Sequence, residues 1–357
     1  MKVLLLGEFS ALHKNLKEGL QEIGHDAIIA ASGDGFKKIP VDISFDSNLP
    51  SIFGQIERKI KIFKSIDIIK NFDVVQIINP FLFYKYFPGR YYLKKIKENN
   101  NSLFMLGAGS DSYYWRYGKS RLKYGPFDDH LKYDLNAKRI YLQSQKAFDF
   151  NKEILNITNG LIPIMYEYDV SYRDEKKKLP PIPIPINTNK IKYSPPSPSK
   201  KITIFHGLNR YGFKGTRHVE EAFSYLRNKY PNDLDLVITG NMPLNDYLEV
   251  MEKTNVIIDQ MYSYSLGVNG IYAMAMGKVV MGGVEPESLR CLNVNESPAI
   301  NLEPNARSII DAVEKLLENR KSLQEIGYKS RKFVEDVHCH TEVAEKYIKA
   351  WKENSQV

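Results

Sequence analysis

Arg210 and Lys214 sit four residues apart in the run His206-Gly207-Leu208-Asn209-Arg210-Tyr211-Gly212-Phe213-Lys214-Gly215-Thr216. Gly207, Gly212 and Gly215 let the backbone bend there and approach a ligand closely. The two cations can neutralise a charged leaving group. Two positive side chains on one glycine-bearing loop suit a pyrophosphate.

A second run, Asp259 to Val280, offers the complementary feature. It follows a short apolar strand, and within it Gly267, Val268 and Asn269 precede the apolar segment Gly270 to Met276, which stops at Gly277. Asn269 is placed to cap a short helix that ends at that glycine. A helix start at the carboxyl end of a parallel strand presents backbone N–H groups to an anion, and a diphosphate fits it.

Two further places are weaker. Gly7 closes the first apolar run, and Gly7 to Ser10 has the form of a cradle for a donor phosphate or an acceptor; a glycine there is equally ordinary in any such fold. Asp111 ends the turn Leu106-Gly107-Ala108-Gly109-Ser110-Asp111, where turn chemistry alone is a sufficient reason for the residue types. His206 and His130 lack a matching partner in sequence and read as packing or surface residues.

The elements that must hold these residues follow from periodicity. Lys2 to Leu6, Ala27 to Ala30, Val74 to Ile78 and Leu103 to Leu106 are buried-strand runs, and Leu12, Leu16, Leu20 and Ile23 mark one face of a helix stopped by Gly24. The prolines of Leu179 to Pro185 and Ser194 to Ser199 stiffen a connector. After it the alternation restarts with Ile202 to Phe205, Leu236 to Thr239 and Val256 to Ile258, and amphipathic helices close the chain. The fold class is α/β, in two halves.

The Arg210 and Gly267 runs together resemble the second domain of the large retaining glycosyltransferase family with the GT-B fold, group 1 or family 4-like. Its members carry an Arg and a Lys-Gly after the first strand of that domain, matched here by Arg210 and Lys214-Gly215. They then carry a Glu, seven residues, and a second Glu opening an Ala-Met-Ala-x-Gly helix; Ala273 to Val280 matches its end. Tyr264 and Tyr272 stand where the two glutamates would be. The second glutamate usually holds the nucleotide ribose, and a phenol cannot bind a vicinal diol as a carboxylate does. The turn ending at Asp111 is similar to the family's His-Gly-Ser-Asp, with Ala108 in place of the histidine near the reacting sugar. The likeness continues through Ile326-Gly327 and Arg331 to Val334 as far as Trp351, whereas the first half resembles the family only in architecture.

The resemblance implies two Rossmann-like domains facing each other across a cleft. Residues 1–186 would form an acceptor-side domain, 187–200 a Pro-rich linker, 201–336 a nucleotide-sugar-binding domain, and 337–357 a helix returning to the first domain. It implies transfer of a sugar from a UDP- or GDP-linked donor to a glycan or lipid-linked glycan, as in bacterial surface-glycan synthesis, with retention at the anomeric carbon. Arg210, Lys214 and Asp111 would be catalytic; Gly7, Gly207, Gly215, Tyr264, Gly267, Val268, Asn269 and Tyr272 would bind the donor. No cofactor or metal is required on this reading.

Composition sets the remaining bounds. At 357 residues, 43% hydrophobic and 26% charged, the chain is folded and long enough for two cores. Its two cysteines make neither a disulfide framework nor a zinc site, and no apolar run reads as a signal peptide or a membrane span, so a cytoplasmic protein is expected. The net charge of +8 allows an anionic partner, but no nucleic-acid motif accompanies it. Two segments are both basic and rich in large apolar residues. Faces of this kind can lie on anionic lipid; for Ile56 to Lys64 a solvated Lys-rich helix face is the more ordinary reading. Phe81 to Lys95, with Lys85, Arg90, Lys94 and Lys95, has more aromatics than one buried face requires, and reads as a face for anionic lipid at the inner side of the membrane. Because of Tyr264, Tyr272 and Ala108 the alternative stays open of a catalytically inactive relative serving as a binding or scaffold subunit. A sugar-nucleotide epimerase of the same fold is a third reading.

Overall fold

The computed structural model describes residues 1–34, 38–84, 89–134, 141–196, 201–240, 242 and 244–355. The chain divides into two compact units: Met1–Tyr117, Leu142–Pro185 and His340–Val357 form one, Gly118–Tyr141 and Ile186–Cys339 the other. The sequence reading put all of 1–186 in one domain; Gly118–Tyr141 belongs instead with the second unit. The reason is a set of contacts to residues far along the chain, described below. Ser197 to Lys200 of the expected linker, and Lys85 to Pro88 of the expected lipid face, lie outside the described residues.

The apolar runs of the first half become parallel strands, buried because both sheet faces are covered. These are β1 (Lys2–Leu6), β2 (Asp26–Ala31), β3 (Ile43–Ser44), β4 (Val74–Ile77), β5 (Ser102–Gly107) and β6 (Gly160–Pro163), in the order β3-β2-β1-β4-β5-β6. Leu4 stands between Ile28 and Val75 in this register. The strand order reverses between β1 and β4, so Gly7 and Asn79 lie at the point where open α/β sheets bind ligands.

The helix Leu12–Glu22 covers this sheet, and the terminal helix His340–Asn354 packs on it. A methyl group at Gly19 would lie 2.2 Å from the His340 carbonyl oxygen, so glycine sets how closely the two helices approach. Val343, Tyr347, Ile348 and Trp351 form the buried stripe, and the Trp351 indole N–H donates to Gln76 Oε1 on β4 at 3.2 Å.

The second unit has β7 (Ile202–Gly207), β8 (Leu234–Thr239), β9 (Val256–Ile258), β10 (Val279–Gly282) and β11 (Ile300–Asn301), parallel, in the order β11-β10-β9-β7-β8. Here the order reverses between β7 and β9. The Arg331 guanidinium fixes the connector to this unit by donating to the carbonyls of Thr188, Ile191 and Ala275 at 3.0, 3.1 and 2.8 Å.

The two basic, apolar-rich segments differ in which of their apolar residues are buried. In the second segment, Phe83, Tyr92 and Leu93 are core residues, Tyr91 is exposed, and Arg90 and Lys94 both pair with Glu153. In the first, the helix Ser51–Ser65 leaves most of its large apolar residues in solvent.

Candidate functional site

β7 ends at Gly207, and the loop beyond it winds into the short helix Tyr211–Lys214 and then the helix Thr216–Lys229. Arg210 precedes the first of these, with its exposed guanidinium 3.8 Å over the Phe213 ring. Lys214 points inward: it is only 5% exposed, and its Nζ lies 3.9 Å from Asp259 Oδ1 at the end of β9. Gly215 joins the two helices at φ 70°, where a Cβ would stand 2.8 Å from Met261 Cβ, so both backbone and space call for glycine.

Asp259 was not singled out in the sequence. Its other oxygen, Oδ2, accepts the N–H of Gly267 at 3.0 Å, directly before the helix Val268–Ala275. Gly270 keeps that approach open, since a Cβ there would lie 2.8 Å from Oδ2. The expected cap at Asn269 is therefore corrected: Gly267 is the N-cap, no side chain of its own caps the helix, and Asn269 lies within the first turn. A carboxylate from the neighbouring strand replaces a local cap. Tyr272 accordingly stands in the second turn rather than the first; it is half-buried, and burial raises its phenol pKa. The one available signal for Asp259 was its place immediately after the apolar strand.

Residues 118–134 cover this region from within the same unit. A Cβ at Gly212 would fall 2.0 Å from the Asp129 carbonyl oxygen. Asp134 accepts the N–H groups of Gly212 and Phe213 at 3.1 and 2.7 Å, and His130 Nδ1 stands 2.8 Å from the same carboxylate. Asp129 takes Arg217 Nε at 2.5 Å and the Tyr262 hydroxyl at 2.7 Å. Tyr264 is buried here: its oxygen accepts the Lys123 N–H at 2.9 Å, and its ring stacks on Tyr124 at 4.7 Å. Tyr124 in turn donates to Glu285 at 2.5 Å. Tyr264 thus anchors the covering segment.

His206 is a packing residue. Its ring nitrogens meet the Ile258 carbonyl and the Thr216 hydroxyl, each at 3.0 Å, and burial, with Lys214 nearby, drives its pKa down to about 3. It is a neutral imidazole.

Gly7 and Asp111 belong to the first unit. Gly7 adopts φ 90° to turn the chain, and two carboxyl groups accept several of the N–H groups that follow it. Buried Glu8 accepts those of His13 and Lys14 at 3.3 and 2.9 Å, and Asp34 accepts that of Ser10 at 2.8 Å. Two carboxylates stand where a phosphate cradle was expected. Burial raises the Glu8 carboxyl to about 7. Asp111 is fully buried, accepting the Tyr114 N–H on one oxygen and the Tyr172 hydroxyl on the other, each at 2.8 Å. It holds the turn after β5, and burial pushes its pKa up to about 6. Ala108 is buried, with its carbonyl accepting from the Asn79 amide at 2.6 Å.

Among the described residues no three His, Cys, Asp or Glu side chains gather as a metal site would need. No described helix is long and apolar enough to cross a membrane.

No protein-family model and no curated protein matches the sequence. Solved structures do match in shape. The sucrose-phosphate synthase of Thermosynechococcus elongatus is 13% identical over 99% of this chain and 99% of that one, with a TM-score of 0.62. HepE of Anabaena, solved with UDP-glucose, is 13% identical over 99% and 100%, with a TM-score of 0.65. S. aureus MnaA, solved with UDP, is 13% identical over 98% and 95%, with a TM-score of 0.51. The fold is GT-B. At such identities the likeness speaks for the two parallel-sheet units and their connections. The roles of Arg210, Lys214 and the residues around them rest on their own geometry.

Proposed function

We propose that this chain is a glycosyltransferase that moves a sugar from a nucleoside-diphosphate donor to a glycan or lipid-linked glycan acceptor. The observation that carries the reading is the grouping of Arg210, Lys214 and the start of the helix Val268–Ala275 at the strand-order reversal of the second unit. UDP is the favoured donor nucleotide over GDP, because two of the similar structures hold UDP or UDP-glucose. Retention, a part in surface-glycan synthesis and a place at the inner face of the cytoplasmic membrane belong to the same proposal.

On this reading the diphosphate leaves between two cations. Arg210 can swing from Phe213 to grip phosphate oxygens in bidentate fashion, and Lys214 supplies a point charge held in place by Asp259. The helix start adds backbone dipoles aimed at the same charge. Gly207 and Gly215 let the loop backbone come close. Asp259 is a positioning residue. Tyr272 offers the nucleoside a flat apolar ring and one hydroxyl.

The second reading, an inactive relative that binds without turnover, draws on Asp134 and Tyr264. Asp134 occupies two N–H groups of the Arg210 loop, and Tyr264 is engaged by the covering segment. One experiment separates the two. Purified protein is given UDP-sugars, and release of UDP is followed alongside the melting temperature. UDP release that disappears in Lys214→Ala supports transfer; a thermal shift with UDP and no release by the wild type supports the binding subunit. Neither signal would sink both.

A further inference from the structure

The helix Ser51–Ser65 carries its apolar residues on the wrong side for packing. Ile52, Phe53, Ile56, Ile60 and Phe63 are 68%, 70%, 48%, 48% and 58% exposed. With 3.6 residues per turn these five fall within an arc of about 100°. Leu49 before the helix and Ile68 after it are exposed as well. The opposite face is the one that docks: Gly54 faces the Leu49 carbonyl, Ile62 is core, and the Ser65 hydroxyl meets that of Tyr92 at 2.7 Å. Arg58 to the Asp46 carboxylate at 2.9 Å, and Lys61 Nζ to the Asp46 carbonyl at 2.6 Å, pin the helix against its unit.

Charge says what the free face meets. The helix has four basic residues, Arg58, Lys59, Lys61 and Lys64, against the single acid Glu57, which is held by Ser47 and Lys61. Exposed Lys59 and Lys64 flank the apolar arc on its two sides, and no acid lies on it. The whole chain carries +8. Isoleucine and phenylalanine facing outward between lysines is the make-up of a helix lying in the plane of an anionic bilayer, rings among the acyl chains and ammonium groups at the headgroups. A second copy of the same face would bring like charges together.

We propose that the helix Ser51–Ser65 is a membrane-docking surface whose partner is an anionic lipid bilayer. The inference stands on the exposed face and its charge, independently of glycosyl transfer. The full chain is floated with vesicles of phosphatidylcholine alone, and with vesicles in which about a third of the lipid is phosphatidylglycerol. Partition onto the anionic vesicles, weakened by salt, is expected. The variant Phe53→Asp/Phe63→Asp lowers that partition at least about tenfold without moving the melting temperature, as loss of buried apolar area requires. In Phe53→Trp the tryptophan emission shifts to the blue on anionic vesicles, since the native Trp115 and Trp351 are already buried. A wild type that stays with the soluble fraction overturns the proposal, as does equal flotation of the double variant or equal partition onto both vesicle types. Self-association without lipid that the double variant abolishes assigns the face to a second copy and overturns it too.

Discussion

Lys214 Nζ stands 3.9 Å from Asp259 Oδ1, both side chains almost fully buried, while Oδ2 of the same carboxylate accepts the Gly267 N–H. One aspartate thus links the loop after β7 to the helix start after β9. The lysine is aimed by a fixed group, whereas Arg210 is exposed, with its guanidinium over the Phe213 ring.

Arg210 and Lys214 should therefore part company in stability while agreeing in activity. Arg210→Ala leaves unfolding free energy within about 0.5 kcal/mol of wild type, as an exposed change does. Lys214→Ala leaves Asp259 buried without its charge partner and costs about 3 kcal/mol. Both lower turnover of a UDP-sugar by about two orders of magnitude or more. Urea titration and steady-state kinetics check the pair; unchanged rates in both variants sink the donor assignment.

Asp134 is the natural target next. Its carboxylate holds the Gly212 and Phe213 N–H groups, on the loop proposed to receive the diphosphate. Asp134→Asn removes the negative charge and keeps an acceptor, and UDP affinity should rise several-fold, since a like charge a few ångströms from a phosphate opposes binding. Calorimetric titration reads this directly. Weaker UDP binding would mean that Asp134 shapes the loop for the donor.

Glu8 gives a pH signature. Its folded pKa, raised by burial from 4.5 to about 7, means that the native state keeps a proton which the unfolded chain has released. Stability from this group is full below pH 4.5 and is lost as pH rises toward 7, the raised-pKa sign. In Glu8→Gln that loss disappears, so the variant gains on the wild type by up to about 3 kcal/mol between those limits. The difference in urea midpoints across pH 4 to 8 is the test; a gap that does not change with pH contradicts it. Buried His13, lowered to about 4, has the opposite sign, and it is present in both proteins and cancels.

Gly19→Ala should loosen the terminal helix. The new methyl would meet the His340 carbonyl at 2.2 Å, a backbone atom that cannot rotate away. A cost of roughly 1–3 kcal/mol is expected, with earlier proteolysis within His340–Asn354. Equal stability would show that the two helices can separate at little cost.

Tyr272 bears on nucleoside recognition. A phenol in place of a ribose-binding carboxylate offers one hydrogen bond, so UDP and its 2′-deoxy analogue should bind within a few-fold of each other. A strong preference for the ribose form, lost in Tyr272→Phe, would show that the hydroxyl has taken over the carboxylate's role.

The sequence by itself determined the two α/β halves. A parallel strand covered on both faces must be apolar at nearly every position, and runs such as Leu4 to Leu6 and Val256 to Ile258 need no distant information to be read. It also determined that Arg210 and Lys214 share a glycine-bearing loop after a strand. What the tertiary structure decided lies in contacts between distant parts of the chain. Asp134 and Gly212 are far apart in sequence and meet only when Gly118–Tyr141 joins the second unit. Glu8 and Asp111 were invisible as caps because a carboxylate's role depends on which N–H groups the folded chain brings to it. The helices Ser51–Ser65 and Gly89–Asn99 carry apolar stripes of the same period. Periodicity says that a helix has an apolar face, and only the packed structure says whether protein covers it. Protein covers Tyr92, Leu93 and Ile96; it leaves Ile52, Phe53 and Phe63 bare.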